Sequence, residues 1–113
     1  MQLPEESYLL RIFIGESDRH EGKPLYEWIV IHARTQELAG ATVLRGLMGY
    51  GANTREIQTF KIERLSTDLP LIIEIVDEKE KLEAFLASIE STIKDGLVTL
   101  EKVQVRLYRS HGK

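Results

Sequence analysis

Apolar residues along this chain follow two rhythms. Residues 8–14 (YLLRIFI) alternate with period two, placing Leu10, Ile12 and Ile14 on one face and Leu9, Arg11 and Phe13 on the other. That is the pattern of a β-strand, and Gly15 ends it. The polar stretch GESDRHEGK leads to Pro24, whose missing N–H suits the first turn of a helix. From there to residue 39, Leu25, Trp28, Ile29, His32, Leu38 and Ala39 share one broad side at helical spacing, with Gly40 as the predicted stop. Residues 41–47 return to a branched strand pattern and enter the run Gly46, Gly49, Gly51. Residues 52–69 then form a polar connection much longer than a hairpin needs. Residues 71–76 (LIIEIV) read as a third strand, and Asp77 with Glu80 has capping-box spacing at the start of a second helix. Leu82, Phe85, Leu86, Ile89 and Ile93 line one side of that helix. Asp95-Gly96 breaks it, and Val103, Val105 and Leu107, alternating with Lys102, Gln104 and Arg106, predict a last strand.

The order strand, helix, strand, strand, helix, strand is the split βαβ arrangement. It implies an α+β, ferredoxin-like βαββαβ fold: a four-stranded antiparallel sheet with two helices on one face. With Leu10, Ile12, Ile14, Leu71, Ile73 and Ile75 toward the helices, period two puts Leu9, Phe13, Ile72 and Val76 together on the bare side. Apolar patches of that kind are uncommon on monomers, so the open face is expected to be buried against other subunits. Arg11, Arg45 and Glu74 are placed on the same face, where ion pairing would satisfy them.

Composition narrows the function classes. The 113 residues suit a single domain, and 42% hydrophobic with 29% charged residues is a balance that buries a core. The net charge of -3, with scattered basic residues, gives no footing for nucleic acid or an anionic membrane. No cysteine is present, which removes disulfides, thiolate catalysis and cysteine zinc sites. No apolar run reaches the roughly 18 residues of a membrane span, and the N-terminus lacks a signal pattern, so a cytoplasmic protein without membrane insertion is expected.

Chemistry is signalled weakly. In Arg45, Gly46, Gly49, Tyr50 and Gly51, glycines would let backbone N–H groups approach an anion, with Arg45 adding a bidentate contact. The alternative is a bulge or sharp turn where the strand leaves the sheet. Glu16, Asp18, His20 and Glu21 gather carboxylates and an imidazole, yet ligands from one loop make a poor metal site, and no metal or cofactor is expected. His32, on the apolar side of the first helix, reads as a packed residue, and His111 as part of a frayed end.

Four phrases, GESDRHEGKPLYEWI, GATVLRGLMGYG, DLPLIIEIVDEKEKLEAFL and DGLVTLEKVQV, together resemble the Domain of Unknown Function 190 family. That family is similar in fold to the PII signal-transduction and CutA proteins, trimers whose sheets face inward. The resemblance implies a nucleotide-type cleft between subunits near the base of a mobile loop, here residues 52–69. Gly49 and Gly51 match the family pattern at the loop's start, and Asp95 and Gly96 match the Asp-Gly before the last strand. Two phosphate-contacting positions depart from the PII pattern: Ala52 replaces an Arg and Leu97 a Lys. No tyrosine occurs in residues 52–69, so regulation by tyrosine modification there is not expected.

The leading expectation is a non-enzymatic, PII-like homotrimer binding a small anionic ligand, such as an adenine nucleotide, at subunit clefts. Arg55, Lys61 and Arg64 would present the loop to a protein partner such as a membrane transporter or channel. The rivals are a small enzyme using Asp18, His20 or Glu21, and a ligand-independent scaffold for a transporter.

Overall fold

The computed structural model describes residues 2–52, 56–59 and 68–111. Strand β1 (Glu6–Gly15) is followed by helix α1 (Leu25–Thr35), β2 (Thr42–Arg45), β3 (Pro70–Asp77), α2 (Lys79–Ile89) with a 3-10 turn (Glu90–Thr92), and β4 (Leu97–Gln104). The antiparallel sheet has the order β2-β3-β1-β4. This is the expected βαββαβ architecture. Two-residue ladders flank it, Arg19–His20 with Lys23–Pro24 and Met48–Gly49 with Gln58–Thr59.

Period two in the strands meets period 3.6 in the helices to form one core. Leu10, Ile12, Ile14, Leu71, Ile73 and Ile75 pack against Leu25, Ile29 and Ala33 of α1 and Leu82, Phe85 and Ile89 of α2. All are buried, so both helices lie on one face. Burial of each large side chain contributes about 1.5–3 kcal/mol.

Four local expectations are corrected. Helix α1 stops at Thr35, well before Gly40. Glu37 adopts a left-handed φ of 61°, its N–H bonds Arg34 O at 2.9 Å, and the Leu38 N–H bonds Ala33 O at 3.1 Å. This is the Schellman closure, which turns Leu38 back toward the core. Asp77 does not cap α2. Its buried carboxylate accepts the Ala39 N–H at 2.8 Å and the Glu78 N–H at 2.7 Å, tying the chain ahead of β2 to the end of β3. The last strand begins at Leu97 and ends at Gln104, with Val98 and Leu100 facing the core beside Ile12 and Leu10. Beyond it the Val105 N–H bonds Glu5 O at 2.7 Å, and the Tyr108 hydroxyl donates to Ala39 O at 2.9 Å. Finally, Arg45 pairs with Leu71, on the helix side of the sheet, leaving Thr42 and Leu44 on the open face.

The register arranges that open face in rows. Leu44, Ile72, Phe13 and Leu97 form one apolar row across all four strands. The next row is polar: Thr42, Glu74, Arg11 and Thr99. Arg11 meets Glu74 at 2.9 Å and Glu101 at 2.6 Å, and the Glu74 hydrogen bond is the largest influence holding the guanidinium in its charged form. Leu9 and Val76 pair in the row beyond. Leu44 and Leu97 remain 45% and 56% exposed in the single chain.

Candidate functional site

Where β1 ends and β4 begins, the chain closes a cleft of about 260 Å³. One wall comes from Phe13, Ile14 and Gly15, another from Asp95, Gly96 and Leu97. The hairpin beyond β2 supplies Gly49, Tyr50, Gly51, Ala52 and Gln58, and the chain entering β3 supplies Asp68 and Pro70. Asp18 completes the lining. Thus Gly49, Tyr50, Gly51, Asp95 and Gly96, drawn from two distant stretches of sequence, meet in one concavity. The volume lies just under the range of roughly 300–1,000 Å³ common for small-molecule sites.

Local packing explains several of these residues. The Gly46 N–H bonds Pro70 O at 2.8 Å, and a Cβ on Gly46 would come within 2.8 Å of the Pro70 ring. Gly46 therefore serves the exit of β2 from the sheet and is not part of the cleft lining. A Cβ on Gly96 would sit 2.6 Å from the Phe13 carbonyl oxygen, so this glycine lets the approach to β4 pass over the end of β1. Gly51 has open space around its Cα.

Arg45 lies outside the lining. Its guanidinium forks onto Glu16, Nε to Oε2 at 3.2 Å and Nη2 to Oε1 at 3.3 Å. Arg55, Lys61 and Arg64 fall outside the described residues.

Three carboxylates surround the cleft, from Asp18, Asp68 and Asp95, while its lining includes no Lys, Arg or His among the described residues. Asp68 Oδ1 accepts the Ser17 N–H at 2.9 Å, a contact possible only because position 15 is glycine: a Cβ there would lie 2.6 Å from the same oxygen. Asp18 Oδ2 accepts the Gly15 N–H at 3.1 Å. Burial pushes the Asp18 carboxyl above its ordinary pKa, the Gly15 N–H pulls the other way, and the charges of Asp68 and Asp95 add to the rise.

The other acid-base residues are not gathered here. His20 and Glu21 sit at a tight turn, Glu21-Gly22, whose two residues both have positive φ, the pattern of a type I′ hairpin. His20 packs edge-on to Trp28 at 4.7 Å between ring centres. His32 stacks on the same indole at 4.9 Å, and its Nε2 lies 2.8 Å from Gln36 Nε2. Among the described residues no three His, Asp or Glu side chains form a metal-holding group, and no helix is long and apolar enough to cross a membrane. Sequence reading misses Asp68, Pro70 and Phe13 as cleft residues; the signal available is the Asp-Leu-Pro entering β3.

Comparison with known proteins agrees with this fold. The model of the DUF190 family, described as "Uncharacterized ACR", matches residues 7–105. A UPF0166 protein of Aquifex aeolicus (strain VF5) is 45% identical over 97 residues, covering 86% of this chain and 90% of the relative. A UPF0166 protein of Methanocaldococcus jannaschii is 37% identical over 98 residues, covering 86% and 89%. Among solved structures, CPII of Thiomonas intermedia K12, a nitrogen regulatory PII-like protein bound to ADP, AMP and bicarbonate, superposes with a TM-score of 0.65 at 16% identity, covering 88% of each chain. A protein of Thermus thermophilus described as PII-like and signaling gives 0.62 at 16% identity, covering 88% and 89%. At such identity these structures establish the fold.

Proposed function

The chain belongs to the DUF190 family, and from that membership and its PII-like fold we propose that it is a non-catalytic, ligand-responsive regulator of the cytoplasm. Copies associate through the open face of the sheet, as a trimer. A small ligand of the adenine-nucleotide type enters the cleft, at the start of the connection formed by residues 52–69. Arg55, Lys61 and Arg64 of that segment meet a protein partner, such as a membrane transporter or channel. One observation carries the reading: two glycine-containing stretches far apart in sequence, residues 49–52 and 95–97, line one cleft at the base of the long connection. The mechanism requires that the ligand bind the partner-bound and partner-free protein with different affinity. The Leu44–Ile72–Phe13–Leu97 row supports association, because it presents apolar side chains from every strand and leaves Leu44 and Leu97 about half exposed in a single chain.

The test is a thermal-shift series with adenine nucleotides, followed by calorimetry, with mass in solution measured by light scattering. Ligand at about a hundredfold over Kd should stabilise the fold by roughly 2.7 kcal/mol. A monomer in solution, or no response to any adenine compound, would overturn the proposal.

A further inference from the structure

We infer that the cleft takes a nucleoside whose 5′ end is neutral or cationic and binds it less tightly with each phosphate added. This rests on the adenine-ligand reading above and changes it in one respect, making the preferred ligand the nucleoside and not its phosphates. Phosphate sites in proteins are built from free main-chain N–H groups or from Arg and Lys. The turn after β1 offers no such amides: the Gly15 N–H is held by Asp18, the Glu16 N–H by Leu69 O, the Ser17 N–H by Asp68 and the Asp18 N–H by Gly15 O. At this turn the carboxylates of Asp18 and Asp68 already take two of the amides that a phosphate would use. A phosphate would have to displace one of them or lie beside three.

Side chains repeat the argument. Ala52 and Leu97 contribute apolar surface to the lining, and the guanidinium of Arg45 is engaged with Glu16. The carboxylates do not converge as a metal-holding group. They stand instead as separate hydrogen-bond acceptors around a wall of Phe13, Tyr50, Pro70 and Leu97. A flat ring against that wall, with amino and hydroxyl groups donating to the carboxylates, satisfies both halves of the lining. Burial is the main cause of the raised Asp18 pKa, and the smaller upward contributions of Asp68 and Asp95 agree with three carboxylates placed near one another.

The experiment is calorimetry on the full chain with adenosine, AMP, ADP and ATP, at low salt and with a chelator present. Affinity should fall about threefold or more at each added phosphate, the size expected for one charge a few ångströms from another in a watery cleft. Added salt should compress the series. The double variant Asp18→Asn/Asp95→Asn should flatten it; should that variant fail to fold, the wild-type order and its salt dependence decide the matter. Tighter binding of ADP or ATP than of adenosine, or equal binding of all four, overturns the inference while leaving an adenine-ligand cleft in place. If none of the four binds, the inference falls together with the function proposed above.

Discussion

Leu44→Lys separates a sheet face open to water from one covered by another copy. In a single chain Leu44 is 45% exposed on the edge strand β2, where a lysine stem can lie along Ile72 with its ammonium in water. The fold should then lose about 1 kcal/mol or less. Covering the apolar row changes the arithmetic. Complete burial of a leucine is worth about 1.5–3 kcal/mol, so covering the exposed half of Leu44 contributes about 1 kcal/mol per copy. Lysine forfeits that and leaves an unpaired ammonium in the contact, at a cost of several kcal/mol. A combined loss of about 4 kcal/mol weakens association roughly a thousandfold. Sedimentation velocity over a wide concentration range should show the wild type assembled and the variant dispersed, while thermal melting shows the variant folded. Leu44→Met, which nearly conserves volume, should stay assembled. A Leu44→Lys protein of wild-type size would refute the reasoning, as the row would then not lie in the contact.

Other substitutions test single contacts. Gly96→Ala should lower stability by about 1–3 kcal/mol in chemical denaturation, because its Cβ would stand 2.6 Å from the Phe13 carbonyl oxygen, whereas Gly51→Ala, with open space around it, should leave stability nearly unchanged. Glu37→Gly should raise stability by about 0.5–1 kcal/mol, since Glu37 holds a left-handed φ of 61° at the end of α1. Asp18 predicts a pH dependence. Its carboxyl has a higher pKa folded than unfolded, so the folded state binds its proton more tightly; the associated stability is present below the ordinary value of 3.8 and is lost as pH rises through the folded value. Asp18→Asn, which still accepts the Gly15 N–H, should therefore gain on the wild type as pH rises above about 4, with urea denaturation at several pH values as the check. A constant difference across pH would remove Asp18 as the cause.

Strands β1 and β3 and helix α2 are legible in the sequence because their burial is one-sided, and a one-sided element writes its period into the residues. The open face is legible for the same reason. The last strand is not. Val103, Val105 and Leu107 do alternate, but only Val103 of these lies within β4, and the choice between that pattern and LVTL before it is made by pairing with β1, which no local pattern contains. Alternation alone puts Arg45 on the wrong face because the strand around it is only four residues long, too short for its period to fix the side. The end of α1 is hidden because a glutamate, not a glycine, takes the left-handed position. Of the candidate site, the glycines and Asp95 are visible as motifs. The acidity of the cleft is not, for Asp18 and Asp68 are 50 residues apart in number and meet only through the turn at Gly15.

Phe13 and Leu97 belong both to the apolar row and to the cleft wall, so in the proposed function association and ligand binding would share atoms. Thermodynamic linkage then makes the two reciprocal: whatever factor assembly adds to ligand affinity, the ligand adds to assembly. Leu97 is the better residue for testing this, because it is 56% exposed in the single chain and can be trimmed at little cost to the core. Leu97→Ala should weaken assembly and ligand binding together, and ligand should restore part of the lost association. Ala52→Asp, on the cleft wall but outside the row, should reduce binding of a neutral nucleoside less than that of ADP, and leave the assembly of the ligand-free protein unchanged. Comparing the association constant of each variant with and without ligand measures the coupling directly. If Leu97→Ala lowers ligand affinity while ligand leaves association untouched, the cleft is complete within one chain, and the row serves assembly alone.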